Sequence, residues 1–218
     1  MANEYKNAYF YSGSGKTSLD ISINGENYIF SGTAAEGTFP AIDAEGTTLI
    51  NSKTNYVVEN TTVTGLTKQI SGKNLAIVKS TIEKNVLNGT SSGYYGIINT
   101  TETAIISESA FNENNNTQYR AIVYQASGTL LVDKTTFSNN TVGKYGILSR
   151  TSTGTTSVTN SHFTDNSGEY GAIYTASGSS GNYTVKSTMF TRNFAKGSGG
   201  AIYIHAATGY NNAFDISN

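Results

Sequence analysis

Hydrophobic positions along this chain alternate with a period of two over short runs, and from residue 75 onward the runs themselves recur about every 26 residues. Aliphatic residues at Ile77, Ile106, Val132, Val158 and Val185 each stand five residues before an anchor, and the anchors are Ile82, Phe111, Phe137, Phe163 and Phe190. Leu75, Ala104, Leu130, Thr156 and Tyr183, two residues earlier still, share the parity of the aliphatic position, so both sets predict one inward face. Ser80, Ser109, Thr135, Ser161 and Thr188, two before each anchor, have the opposite parity, which predicts a bend at the polar pair between them. Each anchor opens an FxxN tetrad: FNEN, FSNN, FTDN and FTRN, with IEKN as an earlier copy. A small residue followed by Ile then recurs at Gly96-Ile97, Ala121-Ile122, Gly146-Ile147, Ala172-Ile173 and Ala201-Ile202. Length varies only in stretches rich in Gly, Ser and Thr, which read as loops.

Short strands joined by bends at a fixed long period predict an all-β fold, a right-handed parallel β-helix with coils of about 26 residues. Coils stacked at about 4.8 Å place equivalent residues over one another. Phe111, Phe137, Phe163 and Phe190 then form an interior stack, and Asn85, Asn114, Asn140, Asn166 and Asn193 a corner ladder of amides with left-handed backbone. Asn116 falls in an insertion. Residues 75–218 are expected to be regular coils and residues 1–74 an N-terminal cap with irregular coils. In that upstream part Val58 and Val63 keep the aliphatic-to-anchor spacing, and Pro40-Ala41-Ile42 reads as a small-Ile element. The final residues, FDISN, begin another coil, which suggests a fragment of a longer chain and end-to-end self-association through an open coil edge.

Composition narrows the function classes. Charged residues are 13% of the chain with a formal net charge of −1, and Arg120, Arg150 and Arg192 stand apart from one another. No basic stripe suits nucleic acid or an anionic membrane surface. Cysteine is absent, there is no apolar run of membrane-spanning length, and no signal-type leader opens the chain. No cofactor or metal is expected.

The recurring FxxN and GGA[ILV] motifs in Asn/Ser/Thr-rich sequence resemble the passenger repeats of the chlamydial polymorphic outer-membrane protein family of autotransporters. The resemblance spans about residues 75–204, with FxxN in four copies and the complete GGAI at Gly199 to Ile202. It implies an exported β-helical passenger, extracellular or at the cell surface, that attaches to a host or neighbouring cell-surface protein or glycan.

Several residues invite chemical readings. SGSGKTS at 12–18 approaches a phosphate-binding loop, but Phe10 occupies the place of the first Gly. The aspartates Asp20, Asp43, Asp133, Asp165 and Asp215 are dispersed, so Asp133 and Asp165 read as solvated corners; His162 and His205 hold different coil positions. No catalytic residues are assigned. Tyr95, Tyr124, Tyr145, Tyr174 and Tyr203 surround the small-Ile element and form a candidate binding face. Six sequons, at Asn60, Asn88, Asn99, Asn115, Asn139 and Asn182, decide nothing alone. The leading expectation is a non-enzymatic adhesin; the alternatives are a carbohydrate-active β-helix, of lyase or phage tail-spike type, and a structural filament subunit.

Overall fold

The computed structural model describes residues 55–60, 62–66, 69–87, 95–117, 120–176, 180–205, 209 and 211–217, together with the backbone of strands Asn3–Tyr5, Ala8–Ser12, Ser18–Ile23, Glu26–Ser31 and Ala41–Asp43. Among these residues the fold is all-β, without a helix, and its long array of parallel pairings forms a β-solenoid. One coil reads in chain order as small-Ile strand, long strand, three-residue anchor strand and two-residue strand. In the coil of Phe111 the first two merge into Gly96–Ser107, followed by Ala110–Asn112 and Asn115–Asn116. The next coil runs Ala121–Gln125, Gly128–Asp133, Thr136–Ser138 and Thr141–Val142.

Stacking these strands builds three parallel sheets. The longest holds two columns side by side, because Gly96–Ser107 pairs with Ala121–Gln125 through its first half and with Gly128–Asp133 through its second. The anchors form a second sheet and the two-residue strands a third.

Corners are tight because the backbone turns left-handed there. Lys79, Glu108, Lys134, Asn160 and Ser187, three residues before the anchors, have φ of 47–50°, and Lys84, Glu113, Asn139, Asp165 and Arg192, two after them, have φ of 50–55°. The first set lies at the expected bend. The second corrects the expected left-handed Asn: the strained residue precedes the ladder Asn, so the Asn is left to turn its amide inward.

Inward columns follow the predicted parity. Ile77, Ile106, Val132 and Val158 are aligned and buried, as are Ile82, Phe111, Phe137 and Phe163. The rings of Phe111, Phe137, Phe163 and Phe190 stack with centroids 4.9, 4.7 and 5.1 Å apart, a geometry that contributes on the order of 1 kcal/mol per pair beyond burial. Register extends upstream of Leu75, with Val58 on Ile77, Val63 on Ile82, and Ala8–Ser12 pairing Asn55–Glu59. Ala41–Asp43 pairs with Thr62–Thr64, which sets Ile42 on the anchor Val63; Ile42 is therefore an anchor-type residue, not part of a small-Ile element. Antiparallel pairing occurs between Ser18–Ile23 and Glu26–Ser31.

One expected alignment shifts. Val123 pairs with Leu148, and Leu148 with Ile173, so Ala172-Ile173 sits on Ile147-Leu148 rather than on Gly146-Ile147. The connection from Asn166 to Tyr170 is one residue shorter than that from Asn140 to Tyr145, and the loop absorbs the difference.

Candidate functional site

Each side chain of the solenoid is positioned by its column, so chemistry is best followed column by column. The ladder asparagines are buried, apart from a partly buried Asn193, and their amides interlock. Asn85 Nδ2 donates to Asn114 Oδ1 at 3.0 Å, Asn114 to Asn140 at 2.9 Å, Asn140 to Asn166 at 3.0 Å and Asn166 to Asn193 at 2.9 Å. The second Nδ2 hydrogen of each goes to a backbone carbonyl one coil back, as from Asn140 to Phe111 at 2.8 Å. Each acceptor oxygen also receives the backbone N–H of the preceding Asn. At the N-terminal end of the ladder Leu66 N–H donates to Asn85 Oδ1 at 2.8 Å. Full use of these amides offsets a desolvation cost of about 1–3 kcal/mol per unpaired group.

Two corrections concern polar residues. Asn116 is fully buried in a paired strand rather than in an insertion; its Nδ2 donates to Ala121 O at 2.6 Å, while its Oδ1 has no partner. Asp133 is not solvated but 7% exposed, with Oδ1 accepting from Thr159 Oγ1 at 2.6 Å and Asn160 Nδ2 at 2.8 Å. The corner turns this carboxylate back over the next coil, where both donors stand. Asp165 is an exposed corner, paired to Arg192 through both oxygens at 2.6–2.7 Å, and the guanidinium holds its carboxyl below the usual range. Asp215 pairs with Lys186 at 2.6 Å. His162 and His205 are exposed. Residues 13–17 of SGSGKTS and sequon Asn88 lie outside the described residues, as do the side chains of Asp20 and Asp43. Of the other sequons, Asn60, Asn115, Asn139 and Asn182 are exposed and Asn99 is partly buried. Among the described residues no three His, Asp or Glu side chains gather closely enough to hold a metal ion.

A buried polar column was missed in the sequence. Thr100, Gln125, Arg150 and Thr175 align within the long sheet, each no more than 3% exposed. They plug the loops between its two columns: Gln125 Nε2 donates to Glu102 O at 2.9 Å and to Ser127 O, and Arg150 donates to Thr156 Oγ1 at 2.9 Å and to Ser152 O. Arg150 lies 4.4 Å from the Tyr183 ring centroid, and desolvation lowers its pKa. A polar residue in the same place of each coil was the available signal, but the one-residue slip at Gly146 scrambled it.

The tyrosines of the small-Ile element gather into one strip beside those strands. Tyr124, Ser149, Tyr174 and Tyr203 are aligned in register, and Tyr95, Arg120, Tyr145 and Tyr170 stand just outside the same strands. Stacked contacts join Tyr95 to Tyr124 at 4.7 Å, Tyr145 to Tyr174 at 4.6 Å, and Tyr170 to Tyr174 and Tyr203 at 5.1 and 4.9 Å. The strip is thus half-buried, with Tyr124 and Tyr174 only 6% and 5% exposed. Burial, and then the neighbouring phenols, push the Tyr174 hydroxyl up to about 12. Ring faces occupied by other rings are closed to a ligand, so edges and polar tips are what the strip presents. Small residues beneath it let the coils approach: a Cβ on Gly146 would stand 2.9 Å from the carbonyl oxygens of Tyr170 and Gly171.

Compared with protein-family models, curated proteins and solved structures, the chain matches none.

Proposed function

We propose that this chain is a β-solenoid segment of a surface-exposed or secreted adhesin-type protein. In this reading it is non-enzymatic, a stiff spacer that carries an attachment strip to a host or neighbouring cell-surface protein or glycan. The observation that carries the reading is the division of labour between columns. Inward positions are spent on Phe, aliphatic and Asn ladders, and the tyrosines beside the small-Ile strands line up into a half-buried strip from Tyr95 to Tyr203 whose edges and polar tips face out. A catalytic reading needs acids and bases to converge, whereas Asp133 secures a corner, Asp165 is paired, and His162 and His205 stand in different coils. The resemblance of the FxxN and GGAI repeats to autotransporter passengers points the same way.

Beads coated with the purified chain are expected to attach to cells or to a glycan array, with no release of reducing ends from a polysaccharide panel. Turnover would favour the carbohydrate-active alternative, and filaments in electron micrographs of concentrated protein the structural one.

A further inference from the structure

We infer that the Tyr–Arg–Tyr segment of the strip, centred on Arg120, is a recognition point for the anionic group of an acidic glycan, a sugar carboxylate or sulfate. The inference rests on the attachment reading above and names its ligand class. Arg120 Cζ lies over the Tyr95 ring, 4.3 Å from its centroid, and 5.4 Å from the centroid of Tyr145, so the guanidinium sits between two rings of the aromatic strip. Contact with both rings restrains the group and does not use its N–H donors: among the described residues Arg120 makes no side-chain hydrogen bond or ion pair. The other two arginines differ. Arg150 is buried on carbonyls and Thr156, and Arg192 is committed to Asp165. Glu169 projects towards the following coil, where a Cβ on Gly197 would meet its Oε1 at 2.9 Å. Arg120 is only partly buried, and its field reaches the strip, since it opposes the upward push on the Tyr174 phenol.

A ring-restrained planar fork with unused donors fits an oxyanion, which it binds through two parallel hydrogen bonds. Spacing selects a glycan over an acidic peptide. Ring contacts between successive coils are 4.6–4.9 Å, with Tyr174 to Tyr203 at 5.9 Å, on a coil spacing of about 4.8 Å that is close to the length of one pyranose unit, so a polysaccharide running along the strip meets one coil per sugar. Same-face side chains of an extended peptide repeat at about 6.6–6.8 Å and fall out of step after a single coil.

Calorimetric titration of the whole chain with oligogalacturonate, a heparin-derived oligosaccharide, neutral maltooligosaccharide and poly-glutamate tests the inference. Binding of one or both acidic sugars, weakened at least tenfold in Arg120→Gln, is expected, with neither the neutral sugar nor the peptide matching them. The preference between the first two tells carboxylate from sulfate. Arg120→Lys keeps the charge but loses the fork, and is expected to bind several-fold less tightly with an unchanged circular dichroism spectrum. That folded variant keeps the inference falsifiable if Arg120→Gln disturbs the stack. Equal binding by wild type and Arg120→Lys, poly-glutamate binding as tight as the sugars, or no binding of either acidic sugar overturns it. Parallel bead attachment separates the two claims: attachment unaffected by Arg120 substitution sinks the ligand class alone, and absence of wild-type attachment sinks the adhesin reading.

Discussion

At the scale of the residue, the same amino acid takes opposite roles according to its column. Asn140 has both amide hydrogens and its oxygen engaged in the ladder, so Asn140→Ala takes the acceptor from Asn114 N–H and from one Nδ2 hydrogen of Asn114, removes the Nδ2 donor to Phe111 O, and leaves Asn166 Oδ1 with the backbone N–H of residue 140 in place of two donors. A loss of about 3 kcal/mol in urea denaturation is expected. Asn116, equally buried, has an unpartnered oxygen and is paired in register with Val142, so Asn116→Val is expected to stay within about 1 kcal/mol of wild type. A larger loss for Asn116→Val than for Asn140→Ala would refute the ladder account. Phe163, fully buried between Phe137 and Phe190, is expected to cost about 3–5 kcal/mol on truncation to Ala, and a change under 1 kcal/mol would show that the stack is not an energetic core. Phe and Asn columns were legible because both types recur at one offset. Asp133 was not: its burial comes from Thr159 and Asn160 in the next coil, and no residue beside it in the chain announces that.

At the scale of the element, a strand here is specified less by its own residues than by the strands above and below. Gly128, Gly154 and Gly181 open successive long strands in register, and a Cβ on Gly154 would lie 1.8 Å from Gly128 O. No rotamer relieves such a contact, since it is backbone against Cβ, so the strand must move and strain the coil before it. Gly154→Ala is expected to destabilise by about 3 kcal/mol or more, while Ser152→Ala in the adjoining exposed loop stays near wild type. Comparable midpoints for the two variants would show that the coils tolerate wider spacing there. In the sequence these glycines look like ordinary loop residues. Their register is visible only once the loops between small-Ile and long strands are aligned, and those loops differ in length. The anchor corners were easier, because two polar residues at a constant distance from Phe mark every bend.

At the scale of the whole molecule, stacking is directional, because the ladder hydrogen bonds all run one way. Ladder amides donate towards the next coil, so Asn193, whose Nδ2 reaches Phe163 O at 2.7 Å, retains donors with no acceptor among the described residues. In the same coil Met189 and Phe194, and in the last long-sheet strand Phe214 and Ile216, are 44–60% exposed, and Val185, Met189, Phe190, Ile202 and Ile216 line one cleft. In this chain, strands Met189–Thr191, Phe194–Ala195, Ile202–Ile204 and Asn212–Ser217 have no outer partner strand among the described residues, and an apolar face with such edges favours association. Two such faces meeting tail to tail would set Asn193 donors against Asn193 donors, which opposes a closed dimer and favours open-ended growth. Sedimentation velocity at rising concentration is therefore expected to show mass increasing past the dimer. Phe194→Lys with Ile216→Lys is expected to hold the protein monomeric, because both side chains are exposed and a charge on each must be desolvated for another face to dock. A chain that stays monomeric at millimolar concentration, or a double variant that associates as strongly as wild type, would remove this face from any account of self-association.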